Sequence, residues 1–253
     1  MKCAAVIQAR FGSTRLPGKI LADVCGKPVL QWLVERVKKS RHINEVFVAT
    51  SIMKENLPVH ELSAKLGVRV FAGSENDVLD RFYQLAKLIQ PVHVVRITAD
   101  CPCYDWNILD RAINEFDSCA DYMSDFGETL PDGLDIEIIR FKALETAWKE
   151  AVLPSEREHV TPYIRKNPGI FGHKNFICPY GELGHLRLTL DEEADMTLVR
   201  RIYEHFCNTG NPYFTTEDVL KLFEEQPELM KLNSHIARNE GYAKSMQNDK
   251  RTV

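Results

Sequence analysis

The stretch VIQARFGSTRLPGK, Val6 to Lys19, decides how this chain is read. Its first residues are apolar and suit a buried strand. Arg10, Gly12, Ser13, Thr14, Arg15, Pro17, Gly18 and Lys19 then follow within a few positions. The glycines let backbone approach a ligand closely. Ser13, Thr14 and free loop N–H groups can donate to phosphate oxygens. Arg10, Arg15 and Lys19 bring fixed positive charge, and Arg grips phosphate with a two-pronged fork. Pro17 stiffens the turn. Ligands of open α/β sheets sit beyond the carboxyl ends of the strands, so a loop after the first strand is well placed to hold a phosphate-bearing molecule. The pattern is neither a Walker loop nor a G-x-G-x-x-G fingerprint. The plain alternative is a solvated basic loop.

Outward from this loop, short apolar runs alternate with amphipathic ones. CAAVIQ (3–8) is expected as a strand, VLQWLVERVKKS (29–40) as a helix and EVFVAT (45–50) as a second strand. LPVHELSAKLG (57–67) is expected as a helix closed by Gly67. VRVFAG (68–73), a helix capped by Asp77, the strand VHVVRIT (92–98) and the helix WNILDRAINEF (106–116) follow. This alternation predicts a mostly parallel sheet with helices on both faces. Beyond residue 120 the pattern changes. ADYMSD, LDIEII and HLRLTL are expected as strands, KALETAWKEAV and REHVTPYIRK as helices, and Ser155 with Glu158 as a capping box. A helix over EADMTLVRRIYEHF and another opened by Thr215 or Thr216 come next, and GYAKSMQNDKRTV (241–253) is expected as a loose polar tail.

Bulk properties limit the function classes. The 253 residues are 44% hydrophobic and 27% charged, with a net charge of -4, so no overall basic footprint for nucleic acid or an anionic membrane is present. No apolar run approaches the roughly 20 residues of a membrane span. The seven cysteines form no repeating frame, and Cys101 and Cys103 have no second ligand pair at zinc spacing. The expectation is a cytoplasmic protein with reduced thiols.

QARFGSTRLPGK followed by GKPVLQWLVERV resembles the cytidylyltransferases that make CMP-activated sugar acids, and among them most closely the spore coat polysaccharide biosynthesis protein F group. The likeness continues through GSENDVLDRF, RITADCP, PDGLDIEI, REHVTPYI and RLTLDEEAD, to about residue 225. It implies a three-layer α/β/α fold of the nucleotide-diphospho-sugar transferase type. It divides the chain into a domain over 1–225, with an insertion around 121–180 for acceptor and dimer contacts, and an extension over 226–253. The implied reaction is transfer of CMP from CTP, with release of pyrophosphate, onto a small anionic acceptor, by a homodimer using Mg²⁺. Lys19, Arg10 and Arg15 are then the catalytic cations. Ala9, Gly12, Ser13 and Ser74, with Arg81, are nucleotide contacts. TADCP lacks the glutamine of the octulosonate enzymes, which counts against that acceptor. A small phosphorylated or alcohol acceptor, a sugar transferase, and a non-catalytic nucleotide-binding module remain alternatives on the same fold.

Mg²⁺ prefers one or two carboxylates plus phosphate and water oxygens. Asp100, just past the fourth strand, and Asp191, just past HLRLTL, fit by position; the resemblance makes both metal ligands. A turn or cap explains Asp100 equally well, an N-cap explains Asp191, and Asp195 is a rival ligand. Strand alternation puts Asp135 and Glu137 on one face, and they divide between acceptor contact and a structural hairpin. Arg157 and His159 stand in a helix first turn, where the resemblance points to acceptor binding and capping or packing is the alternative.

Overall fold

The computed structural model describes residues 3–13, 15–116, 119–238 and 240–252, without side chains at 244, 248 and 250–252. Thr14, expected as a phosphate donor, lies outside them. β1 (Cys3–Gln8) is apolar on both sides, with Cys3 to Ile7 buried. A strand buried on both faces belongs inside a sheet. The two-residue strands β2 (Asp23–Val24) and β3 (Lys27–Pro28) form a separate hairpin ahead of α1 (Val29–Val37). β4 (Glu45–Ser51), α2 (Leu57–Lys65), β5 (Arg69–Gly73), α3 (Val78–Ile89), β6 (His93–Thr98) and α4 (Trp106–Glu115) complete the alternating half. The later part holds β7 (Tyr122–Ser124), β8 (Glu137–Arg140), α5 (Phe141–Glu150), α6 (Pro154–His159), α7 (Pro162–Lys166), β9 (His173–Asn175), α8 (Glu193–Asn208), α9 (Thr216–Glu225) and α10 (Glu240–Thr252).

The seven-stranded sheet runs β5-β4-β1-β6-β8-β7-β9. The first four strands are parallel; β8 turns antiparallel to β6 and β7 antiparallel to β8. Ala5, Ile7, Val95 and Ile97 face Leu33 and Val37 of α1, Leu109 of α4 and Val199 of α8. Ala4, Val6 and Val94 face Phe82 of α3 and Leu144 of α5. These are the three layers the alternation implied. The chain steps from β1 to β4 on one side and reaches β6 on the other, so loops diverge between β1 and β6 and open a crevice there. Arg36 of α1 is fully buried and donates Nε to the Tyr104 carbonyl at 2.8 Å, fixing the turn that follows β6.

Four expectations are corrected. HLRLTL is an extended strap rather than a sheet strand: it makes one bridge, Arg187 with Asp132, and its Leu190 N–H donates to the Asp100 carbonyl at 2.8 Å. The turn at Gly133 (φ +98°) presses so closely on the strap that a Cβ there would lie 2.5 Å from the Thr189 nitrogen. REHVTPYIRK is two helices, because Pro162 bars continuation and Val160 takes φ +73° between them. Ser155 and Glu158 form no capping box: α6 starts at Pro154 after Leu153, whose side chain cannot cap, and Glu156 alone reaches back to accept from the Leu153 N–H at 3.3 Å. The polar tail is helix α10, docked on α6 through Ser155, whose Oγ donates to Asp249 at 2.5 Å. Gly67 (φ +62°) ends α2, and Asp77 and Thr215 cap α3 and α9 as expected.

Candidate active site

Gly18, at φ +71°, turns the chain into a single 3₁₀ turn, Lys19–Leu21, and so aims Lys19 across the crevice. Lys19 Nζ donates to Asp100 Oδ2 at 2.7 Å and to Asp191 Oδ1 at 2.8 Å. Asp100 stands in the turn after β6, and Asp191 at the bend between the strap and α8. Burial alone would raise the Asp100 carboxyl, but the charge and hydrogen bond of Lys19 outweigh it and hold it below the ordinary value. Burial likewise opposes the Lys19 charge, and the two carboxylates overcome it, so the ammonium is held more firmly than usual. Neither carboxylate is a helix cap. Asp105 caps α4, and the N–H groups of Asp191 and Glu192 are taken by Asp195 at 2.9 and 3.0 Å.

Arg187 of the strap is nearly buried and serves three carboxylates. It donates to Asp195 Oδ1 at 2.9 Å, Asp132 Oδ2 at 2.6 Å and Asp191 Oδ2 at 3.1 Å. Asp195 is fully buried and also accepts from Asn233 at 2.8 Å. Burial pushes against its charge, and these donors hold it below the ordinary value. That saturation makes Asp195 a pillar under Asp191 rather than an open ligand. Asp132 is the odd one of the three. Burial first, then the Asp135 charge, lift it to about 6 against the pull of Arg187.

Arg15 lies 3.0 Å from Asp191, with Glu192 and Glu240 at 3.7 and 3.9 Å. Arg10 points the other way, toward Glu75 at 3.5 Å and Glu158 at 4.0 Å. It lines a cleft of about 350 Å³ with Glu75, Asn76, Asp77, Pro154, Arg157 and Glu158, a size suited to a small molecule. The remaining loop residues are less committed. Ala9 uses its N–H on the Ala49 carbonyl at 3.0 Å, Ser13 Oγ accepts from Leu16 at 3.3 Å, and a Cβ on Gly12 would touch nothing. Ser74 Oγ accepts the Asp77 N–H at 3.1 Å in the turn before α3, and Arg81 is buried with Nε and Nη1 unpartnered.

The four residues expected at the acceptor do not converge. Arg157 donates Nε and Nη2 to Asp77 at 2.9 and 2.5 Å, and Nη1 to the Trp148 carbonyl at 2.7 Å. Glu137 is buried, taking Tyr122 at 2.5 Å, Thr161 at 2.6 Å and an ion pair with Arg96. Asp135 precedes β8 and is exposed, so it does not share a face with Glu137; Arg238 reaches it at 2.6 Å. His159 meets Ser245 at 3.0 Å and the Tyr242 ring of α10, and burial, with Arg96 nearby, lowers its pKa. Sequence reasoning missed Arg187, Arg96, Asn233 and Arg238. An arginine inside each of the apolar runs HLRLTL and VHVVRIT was the available signal; Asn233 and Arg238 carried none.

The described residues contain no gathering of three or more His, Cys, Asp or Glu side chains able to cage a metal. Cys3, Cys25, Cys101, Cys103, Cys178 and Cys207 are free thiols, and burial raises Cys103 to about 12. No helix among the described residues is long and apolar enough to cross a membrane.

A cation-rich loop facing two carboxylates across the strand-order switch of a mostly parallel sheet defines a nucleotide-handling α/β protein. The chain belongs to the cytidylyltransferase family, whose sequence model matches residues 4–195. It is similar to an uncharacterised protein of Methanocaldococcus jannaschii, at 38% identity over 93% of this chain and 96% of that one. It is also similar to the spore coat polysaccharide biosynthesis protein SpsF of Bacillus subtilis, at 32% identity over 88% of this chain and 94% of that one. About half of it matches a 3-deoxy-manno-octulosonate cytidylyltransferase of Bdellovibrio bacteriovorus, at 37% identity over 46% of each chain. Among solved structures, a cytidylyltransferase from Leptospira borgpetersenii superposes with a TM-score of 0.85 at 32% identity, covering 91% of this chain and 97% of that one.

Proposed function

We propose that this cytidylyltransferase moves CMP from CTP to a sugar acid, with Mg²⁺ and with release of pyrophosphate. The carrying observation is the convergence of Asp100 and Asp191 on one positive centre at the mouth of the crevice. Two carboxylate oxygens that share an ammonium can share a divalent cation, and two are as many as Mg²⁺ usually takes from protein. Bound there, Mg²⁺ would supply charge stabilisation at the phosphate oxygens.

An acceptor oxygen attacks the α-phosphorus in line; the new P–O bond forms as the bond to the pyrophosphate oxygen breaks. Lys19 and Arg15 approach the triphosphate from one side and Arg10 from the cleft side, offsetting charge as it develops. The loop N–H groups and Ser13 orient the phosphates, and Ser74 lies toward the nucleoside. Asp135, Glu137, Arg157 and His159 stay assigned to the acceptor as part of this reading, and Arg157 is the one of the four that lines the same cleft as Arg10. No side chain acts as nucleophile, and positioning carries the chemistry. Surface-glycan synthesis, as in the name of the Bacillus subtilis relative, is the setting this reading favours. Free thiols such as those of Cys3, Cys101 and Cys178 suit a reducing cytoplasm. A homodimer through the 121–180 region is part of the reading, supported by edge strand β9 and the exposed Ile170 and Ile177 beside it.

A pyrophosphate-release screen tests it. The four nucleoside triphosphates are combined with 3-deoxy-manno-octulosonate, N-acetylneuraminate and a set of phosphorylated alcohols, with and without Mg²⁺. The expected signal needs CTP, a sugar acid and the metal together. Preference for a purine triphosphate, or turnover with phosphorylated alcohols alone, overturns the proposal.

A further inference from the structure

We propose that Lys19 is an exchangeable counter-cation: it holds the place between Asp100 and Asp191 until a metal–triphosphate complex arrives, then yields the carboxylates and carries its charge to the triphosphate. This rests on the reading of those two carboxylates as metal ligands.

The geometry sets up a competition. Nζ is 2.7 and 2.8 Å from the two carboxylate oxygens, and the Lys19 side chain is only 11% exposed. Mg²⁺ would need those oxygens at about 2.0–2.1 Å. An ammonium and a dication cannot both sit against the same pair of oxygens in a site so little screened by water. Both oxygens of Asp191 already face a cation. Oδ2 accepts from Arg187 at 3.1 Å, and Oδ1, besides Lys19, lies 3.0 Å from Arg15. Asp100 Oδ1 lies 3.8 Å from the Cys101 thiol, and the Thr98 hydroxyl and the Asp100 N–H also support this carboxylate. A metal arriving alone therefore meets carboxylates already held by ammonium and guanidinium groups unless a cation leaves.

Of the cations present, Lys19 is the one built to leave. Arg187 is anchored by three carboxylates and nearly buried, so moving it would strand Asp195. Lys19 hangs on a four-carbon stem from a single 3₁₀ turn and, among the described residues, its ammonium bonds just the two carboxylates. Rotation about its χ angles frees it without main-chain movement. A triphosphate gives the freed ammonium a new anionic partner, which free metal does not. Metal and nucleotide are thereby taken together, and metal alone is held off. If Lys19 occupies the place nearly all the time, the apparent metal affinity falls by the fraction of time it is vacant, so removing Lys19 should recover a factor of about ten or more.

The test needs no turnover. Free Mn²⁺ is titrated without nucleotide by electron paramagnetic resonance into wild type, Lys19→Met, Arg15→Met, and Lys19→Met combined with Asp100→Asn. Lys19→Met should bind Mn²⁺ at least about tenfold more tightly than wild type. Its melting temperature should rise further with added Mn²⁺. Arg15→Met removes the same charge beside Asp191 without vacating the place between the carboxylates, and should gain clearly less. Lys19→Gln, which keeps N–H donors for the carboxylates, replaces Lys19→Met if the latter does not fold. Equal affinity in wild type and Lys19→Met, or equal gains in Lys19→Met and Arg15→Met, overturns the exchange. A gain that survives Asp100→Asn puts the metal elsewhere and overturns the metal reading itself along with the exchange.

Discussion

At the crevice between β1 and β6, Lys19 meets Asp100 and Asp191 across 81 and 172 residues of chain, and all three side chains keep some contact with water. Beneath α6 and behind the strap, charges are paired just as densely, but they are closed in. Glu137 is held by Arg96, Tyr122 and Thr161, and Asp195 by Arg187, Asn233 and two backbone N–H groups. Both regions place carboxylates against cations in similar geometry. The difference is whether a partner can be exchanged. An ion pair with one open side can trade its cation for a ligand; a pair with every lone pair taken can only be broken, and breaking a buried pair is costly.

The largest effect should fall on the open pair. Asp100→Asn and Asp191→Asn keep shape and remove one negative charge each. Loss of several kcal/mol of charge stabilisation corresponds to roughly 10²–10⁴ in turnover. Their melting temperatures should stay near wild type, since each site touches water. Pyrophosphate release and thermal melts on the purified variants check this. Near-wild-type turnover in Asp100→Asn would erase the contrast between the two regions.

Asp195→Ala should show the reverse. It leaves Arg187 short of a fully buried partner and frees the N–H groups that hold Asp191 in place. Removing one member of a buried pair costs about 3–5 kcal/mol. Urea unfolding should record that loss, while turnover follows the folded fraction at low temperature. A stable but inactive Asp195→Ala would move Asp195 from pillar to ligand.

The two regions were also unequally visible in the sequence. The four parallel strands and their helices followed from alternation: β1 and β4 are buried on both faces and read as apolar runs, and β5 and β6 stood out by their place between amphipathic helices. Lys19 was visible as the last cation of the loop after β1 and Asp100 by its place just past β6, where an α/β sheet keeps its ligand site. Asp191 was reached through the strand reading of HLRLTL, which the structure corrects to a strap, and through the resemblance. The acceptor side was opaque for a physical reason. Glu137, Arg157 and His159 occupy short elements whose partners are Arg96, Asp77 and Ser245, and nothing local in sequence ties those residues together. The strap defeated the strand reading because its hydrogen bonds go to turns, with a single bridge in place of a ladder. The tail read as loose because α10 is polar along its length; what docks it are contacts with α6 far away in sequence, Ser155 with Asp249 across 94 residues and His159 with Ser245 and the Tyr242 ring.

Asp132 stands between the two regimes, and it gives the smallest and most diagnostic effect. It shares Arg187 with Asp191 and Asp195, yet burial and the neighbouring Asp135 lift it to about 6. One guanidinium divided among three carboxylates does not fully compensate the third. The native state therefore holds a proton on Asp132 more tightly than the unfolded chain, whose Asp titrates near 3.9. The stability this group contributes is complete below about pH 4 and is lost as pH rises through about 6. Asp132→Asn fixes the neutral form and can still accept from Arg187. The variant should thus gain on wild type between pH 4 and pH 7, by at most about 3 kcal/mol, since two pKa units at 1.36 kcal/mol each set the ceiling. Urea unfolding of both proteins at pH 4.5 and 7.5 measures the difference. Parallel pH profiles would mean that Arg187 compensates all three carboxylates, and that Asp132 belongs with the closed pairs. A gap that widens with pH would place it with the exchangeable charges, one step behind Asp191.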